Sequence, residues 1–237
     1  MNDDPNKPSA RPRGRDVLYV TILTAGISAV GIAALLGAAG HLSSTPSGIL
    51  SLPVVLGSIL ILNGTVIASV AAILLRMRRM TWRDMGFRIP RSPWLWGAPG
   101  LGIVTVVAIE GIGRALDVSA SELTTRLIAP QGFSWTGLLG TLVFIGFVAP
   151  FGEELYFRGL IYRWLRNRWN PSIAASVSAL LFGGAHLYYS LPVMLIVALL
   201  GLLLAVAFEL SGSIWTPIAI HAVQNSIVVS FVYWSLT

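Results

Sequence analysis

Cysteine is missing from this chain of 237 residues. Its absence excludes disulfides, a thiolate nucleophile and any Cys-ligated metal. Charge is also scarce: 11% of residues are Asp, Glu, Lys or Arg, against roughly 25% in soluble domains. The HExxH pattern of helical zinc proteases does not occur. What fills the chain is apolar, 55% of residues, with a mean hydropathy of +0.76. These values point to lipid rather than water as the solvent. The expected fold class is all-α, a polytopic membrane helical bundle forming one compact domain.

The polar, Pro-rich start, residues 1–16, reads as a disordered tail. Residues 17–237 then form a single transmembrane domain. The first apolar run is too long for a signal peptide, and no small-residue cleavage site follows it. Apolar runs of about 20 residues mark spanning helices. About seven are expected, over Val17–Ala39, Ile49–Leu75, Trp94–Leu116, Trp135–Tyr156, Ile173–Leu187, Pro192–Leu210 and Ile214–Leu236. The fifth is short. Pro53, Pro150, Pro192 and Pro217 mark starts or kinks.

The net charge of +6 comes from arginines gathered in a few segments. Arg11, Arg13 and Arg15 precede the first span, six arginines lie in Arg76–Arg91, and Arg163, Arg166 and Arg168 follow the fourth. The alternation predicts a multi-pass cell-membrane protein with a cytoplasmic N-terminus and an outside C-terminus. The basic stretches are short and flank apolar spans, so the expected partner is anionic lipid and not nucleic acid. Arg76–Arg91 reads as a topology-setting surface loop, with an amphipathic segment at the membrane surface as the alternative.

Ionisable side chains at membrane depth are costly and rare. The second half of the chain nevertheless holds Glu153, Glu154, His186 and His221, with Arg158 and Asn225 beside them. In Glu153-Glu154-Leu155-Tyr156-Phe157-Arg158, the i,i+4 spacing puts Arg158 over Glu154 and away from Glu153. Arg158 then holds Glu154 ionised, and Glu153 points elsewhere, available for chemistry. A purely structural ion pair explains Glu154 and Arg158 but not a second adjacent carboxylate, which needs its own partner if buried. Phe182 and His186 share a helix face, with Gly183 and Gly184 opening space beside them. His221 and Asn225 lie one turn apart on one face, placed to donate to a single ligand oxygen or to hold two helices together.

A depth estimate allows these residues to meet. Glu154 and His186 each lie ~20–25 Å from the Asn170-Pro171 turn, and His221 lies ~13–15 Å from the Ser211-Gly212 turn, at 1.5 Å per residue. The levels match if the Arg-rich hairpin projects beyond the bilayer core.

The three patterns EExxxR, FxxxH and HxxxN, on successive apolar helices, resemble the CAAX protease and bacteriocin-processing (CPBP, or Abi) family of intramembrane glutamic endopeptidases, related to the Ras-converting CAAX prenyl endopeptidase. Trp82-Arg83-Asp84-Met85-Gly86-Phe87 also resembles a segment of its prokaryotic members. The resemblance covers roughly residues 80–230, with a catalytic core over about 134–236. It implies a peptidase in which Glu153 activates a water with His186 as its proton partner. His221 and Asn225 then stabilise the oxyanion, and Glu154 and Arg158 are supporting. It implies no cofactor. The partners are the lipid bilayer and a peptide or protein substrate, membrane-associated ones included.

Other readings of the same residues are a zinc-dependent protease, with Glu153, His186 and His221 as ligands, a transporter or proton relay, and a non-catalytic immunity scaffold. Against zinc stands the lack of HExxH; against a transporter stands the lack of paired broken helices in two halves.

Overall fold

The computed structural model describes residues 11–42, 51–115, 122–187 and 190–237. Among the described residues eight helices carry the fold: α1 (Gly14–Leu42), α2 (Leu52–Met77), α3 (Ser92–Ala115), α4 (Glu122–Ile128), α5 (Trp135–Arg166), α6 (Pro171–Gly184), α7 (Leu191–Ser211) and α8 (Trp215–Trp234). No strand occurs among the described residues. Six of the eight, α1, α2, α3, α5, α7 and α8, are long and apolar enough to cross a bilayer. The protein is a polytopic membrane bundle, close to the seven helices expected. The remaining candidate, α6, has 14 residues and at 1.5 Å per residue is only ~21 Å long.

The helices begin where their sequences say they should. Asn170 and Ser190 cap α6 and α7 by accepting from the backbone N–H of Ile173 and Val193, and Pro171 and Pro192 occupy first-turn positions that need no donor. Gly212, with φ +66°, ends α7 in the left-handed conformation. Large apolar side chains such as Val30 and Val107 stand outward, as they do when lipid, not water, surrounds the bundle.

Helix α5 is the centre. It packs against α2 on one side and α8 on another, with α6 and α7 closing on its second half, while α3 lies on α8 and α1 on α2. The approach of α2 is closest at Gly152, where any side chain would meet the Asn63 amide. The helix is not regular. It carries π-helical stretches at Phe144–Val148 and Leu155–Tyr162, on either side of the turn that bears the two glutamates.

The arginine-bearing segments gather at one end of the bundle. Asp16, buried at the start of α1, receives Arg78 from the end of α2 at 2.7 Å. The segment 76–91 does more than sit on a surface. Thr81 and Asp84 form a capping box around a 3-10 turn, Met85 is wholly buried, and Phe87 packs on Phe151 and Trp215. Its apolar side thus docks into the protein core. Gly86, at φ +97°, ends the turn, and its carbonyl accepts from Ile214 N–H at the start of α8. Of the sequence expectations, residues 1–10 of the tail lie outside the described residues. Helix α1 already begins at Gly14.

Candidate functional site

Arg158 is completely buried and makes three directed contacts. One Nη donates to Glu154 Oε1 at 3.0 Å, the other donates to the Gly201 carbonyl at 2.7 Å, and the guanidinium lies 4.6 Å over the Phe182 ring. The pair expected from the i,i+4 spacing is therefore present. The same Glu154 oxygen also receives Nδ1 of His221 at 2.9 Å. Glu154 thus bridges a guanidinium on its own helix and an imidazole on α8, a link the sequence reading did not contain. An ionised carboxylate accepts only, so the Nδ1 proton belongs to His221.

Glu153 stands apart from Arg158. Its side chain is 26% exposed, and Oε2 has no hydrogen-bond partner among the described residues and lies 4.0 Å from His221 Nε2. His186 sits just beyond the last turn of α6, which ends at Gly184 and not at Leu187. Its Nδ1 bonds the Phe182 carbonyl at 2.9 Å, so the neutral ring turns an acceptor nitrogen, Nε2, the other way. Phe182 is the common wall: its ring centroid is 5.1 Å from that of His186 and 5.7 Å from that of His221. Of the two glycines expected to open space there, only Gly184 does. Gly183 is filled by α7, since a Cβ would come 2.6 Å from the Met194 carbonyl and 2.7 Å from the Ala198 side chain.

Asn225 is held by a defect in α5. Across the first π-helical stretch, Ala149 N–H bonds the carbonyl of Phe144, five residues back. In that register the carbonyl of Ile145 awaits the N–H of residue 150, which is proline and has none. The Asn225 amide donates to it instead, at 2.9 Å. A backbone group freed inside a membrane helix needs such a substitute, and its position fixes the amide. The amide carries a second donor hydrogen, and Asn225 lines a cavity.

Glu153, His186, His221 and Asn225 all line one cavity of about 490 Å³, together with Phe182 and Gln224. The rest of its wall is apolar, with residues such as Val55, Ile59, Ile196 and Val228, and α4 contributes Thr124, Leu127 and Ile128 at its edge. Gln224 was missed by sequence reasoning, although its place three residues after His221 on the same face was a usable signal. Among the described residues, no three His, Asp or Glu side chains are grouped so as to hold a metal ion.

Residues 135–227 match the family described as Rce1-like, type II CAAX prenyl endopeptidase. The matched segment runs from the start of α5 into α8 and contains Glu153, His186, His221, Gln224 and Asn225 of the cavity wall. The Rce1-like family is a peptidase family. An uncharacterized 24.3 kDa protein of Escherichia coli is 34% identical over 132 residues, which cover 54% of this chain and 58% of that protein. The chain therefore spans less than two thirds of that relative's length. No solved structure matches the chain.

Proposed function

We propose that the protein is an intramembrane endopeptidase that hydrolyses peptide bonds with a water activated by Glu153 and His186. The observation that carries this reading is the convergence of Glu153, His186, His221 and Asn225 from three helices on one cavity within a bundle of membrane-length helices. A second observation favours Glu153 as the base: it alone of the two carboxylates is not engaged by Arg158 or by a hydrogen bond to His221.

The steps follow from the geometry. Glu153 takes a proton from water as the oxygen attacks the peptide carbonyl. The oxyanion forms against the second amide hydrogen of Asn225 and Nε2 of His221. Because Nδ1–H of His221 already serves Glu154, Nε2 donates only when the ring carries both protons. Two carboxylates against the single Arg158 leave room for that positive charge. Oxyanion donors of this kind are worth ~3–4 kcal/mol each in other hydrolases. The proton then passes, with His186 as carrier, to the leaving amine, which breaks the C–N bond. Glu154 and Arg158 orient His221 and touch no substrate. The gathered arginines support a cytoplasmic N-terminus, a cell-membrane location and a site nearer the cytoplasmic face.

The test is cleavage of a quenched peptide library by full-length protein in liposomes. Wild type is compared with Glu153→Ala, His186→Ala and His221→Ala, each with and without a strong chelator. The reading expects loss in all three variants and no effect of chelator. Equal cleavage by all four proteins removes the catalytic assignment, and chelator inhibition reversed by zinc moves the same residues to a metal site.

A further inference from the structure

A second cavity lies at the arginine-rich end, of about 400 Å³, lined by Arg11, Asp84, Tyr162, Arg163, Arg166 and Glu209 among others. It is separate from the cavity of the candidate site, since Arg163 follows Glu153 and Glu154 by nine or ten residues, ~14 Å along α5. Its size lies within the roughly 300–1,000 Å³ of small-molecule sites.

The charges in it do not cancel. Glu209 is engaged at both oxygens: Oε2 accepts from Tyr162 at 2.8 Å and Oε1 from Arg166 at 3.0 Å. Asp84 is the acceptor of the Thr81 capping box, where Oδ2 takes both the backbone N–H and the hydroxyl at 2.8 Å. Arg163 has neither a hydrogen bond nor an ion pair with any described residue. Its Nε is buried without a partner, and its charged neighbours are Arg88 and the carboxylates Asp84 and Glu209, both of which are already engaged elsewhere. A buried guanidinium nitrogen lacking an acceptor is costly.

The position of Arg163 is built rather than incidental. Its guanidinium lies 5.2 Å over the Phe208 ring. Gly86 leaves the room for that stack: a Cβ there would come 2.7 Å from the Phe208 ring and 3.2 Å from an Arg163 Nη. Gly86 is fixed in turn by the capping box before it and by the bond from Ile214 after it. The Trp82–Phe87 segment, which the candidate active site does not use, thus serves to hold one arginine over an open, polar hollow.

We propose that this cavity binds a phosphate-class anion, with Arg163 as its principal ligand and Arg11 at the rim. Planar guanidinium groups match phosphate oxygens in paired hydrogen bonds. Basic pockets between membrane helices at the cytoplasmic side take anionic headgroups. A lipid phosphodiester and free phosphate share this chemistry, and the experiment separates them.

Full-length protein in detergent is titrated with dihexanoyl phosphatidylglycerol, dihexanoyl phosphatidylcholine and inorganic phosphate, with bound species counted by native mass spectrometry. Wild type is expected to bind phosphatidylglycerol and not phosphatidylcholine. Arg163→Gln weakens this by about tenfold or more, the effect of losing a charge-assisted hydrogen bond. Arg163→Lys, which keeps the charge without the fork, falls between the two and serves if the first variant does not fold. Arg168→Gln, an equal charge change outside the cavity, binds as wild type. Arg163-dependent binding of phosphate alone assigns the site to a soluble phosphate. The proposal fails if neither anion binds, if Arg163→Gln and Arg163→Lys both bind as tightly as wild type, or if Arg168→Gln weakens binding equally.

Discussion

His221 Nδ1 and Arg158 converge on the same atom, Oε1 of Glu154, at 2.9 and 3.0 Å. Glu154 therefore sets which nitrogen of His221 holds the ring proton, and Arg158 sets the charge and position of Glu154. Partners of this kind orient a reacting imidazole without touching substrate. Glu154→Gln leaves an acceptor for Nδ1–H but removes the negative charge that supports the doubly protonated ring, so Nε2 loses the proton it donates to the oxyanion. By analogy with the loss of a histidine-orienting carboxylate in serine proteases, kcat should fall by about 10²–10⁴ with little change in KM. Steady-state cleavage kinetics check this; an unchanged kcat contradicts the orienting role.

Arg158→Met should unfold the protein readily, because it leaves a buried carboxylate without its guanidinium. Breaking one side of a buried pair costs about 3–5 kcal/mol. Replacing both partners, in Arg158→Met with Glu154→Leu, should recover most of the loss in thermal unfolding while remaining inactive. A double variant as unstable as the single one would show that the pair is not the source of the effect.

Pro150 and Asn225 are coupled through the carbonyl of Ile145. Asn225→Ala should reduce kcat by about 10²–10³, the effect of losing one oxyanion donor. Pro150→Ala supplies a backbone N–H that competes for the same carbonyl, so it should lower kcat by less while leaving the melting temperature unchanged or raised. Combined, the two changes should cost no more than Asn225→Ala alone; simple additivity would argue against the coupling.

Gly152 admits the Asn63 amide between α5 and α2. Gly152→Ala should destabilise by about 1–3 kcal/mol through overpacking, and adding Asn63→Ala should relieve the part that comes from the amide, since the Asn63 Cβ stays at 2.9 Å. Thermal unfolding of the two variants decides; no recovery in the double variant means that the close approach is not what limits the residue.

The sequence carried the parts of this structure that depend on one helix at a time. Apolar runs located the long spans, and the i,i+4 rule found Glu154 with Arg158 and left Glu153 apart. Links between helices were less legible. His221 and Glu154 are 67 residues apart, and their bond depends on how α8 is rotated against α5, which no local pattern encodes. The hold on Asn225 depends on a π-helical register that Pro150 hinted at but did not specify. Helix α4 went unread because seven residues with a Glu, an Arg and two Thr carry no apolar run. The arginines of segment 76–91 point to a surface, whereas Met85 and Phe87 between them dock it.

In the proposed mechanism Glu153 takes the proton of the attacking water. The most direct test is the cleavage rate of a reconstituted Glu153→Gln variant, measured beside wild type on one peptide found in the library. The variant keeps shape and hydrogen-bonding capacity but cannot accept that proton. The account predicts a rate lower by about 10²–10⁴ at an unchanged melting temperature; a Gln variant that cleaves at the wild-type rate contradicts it.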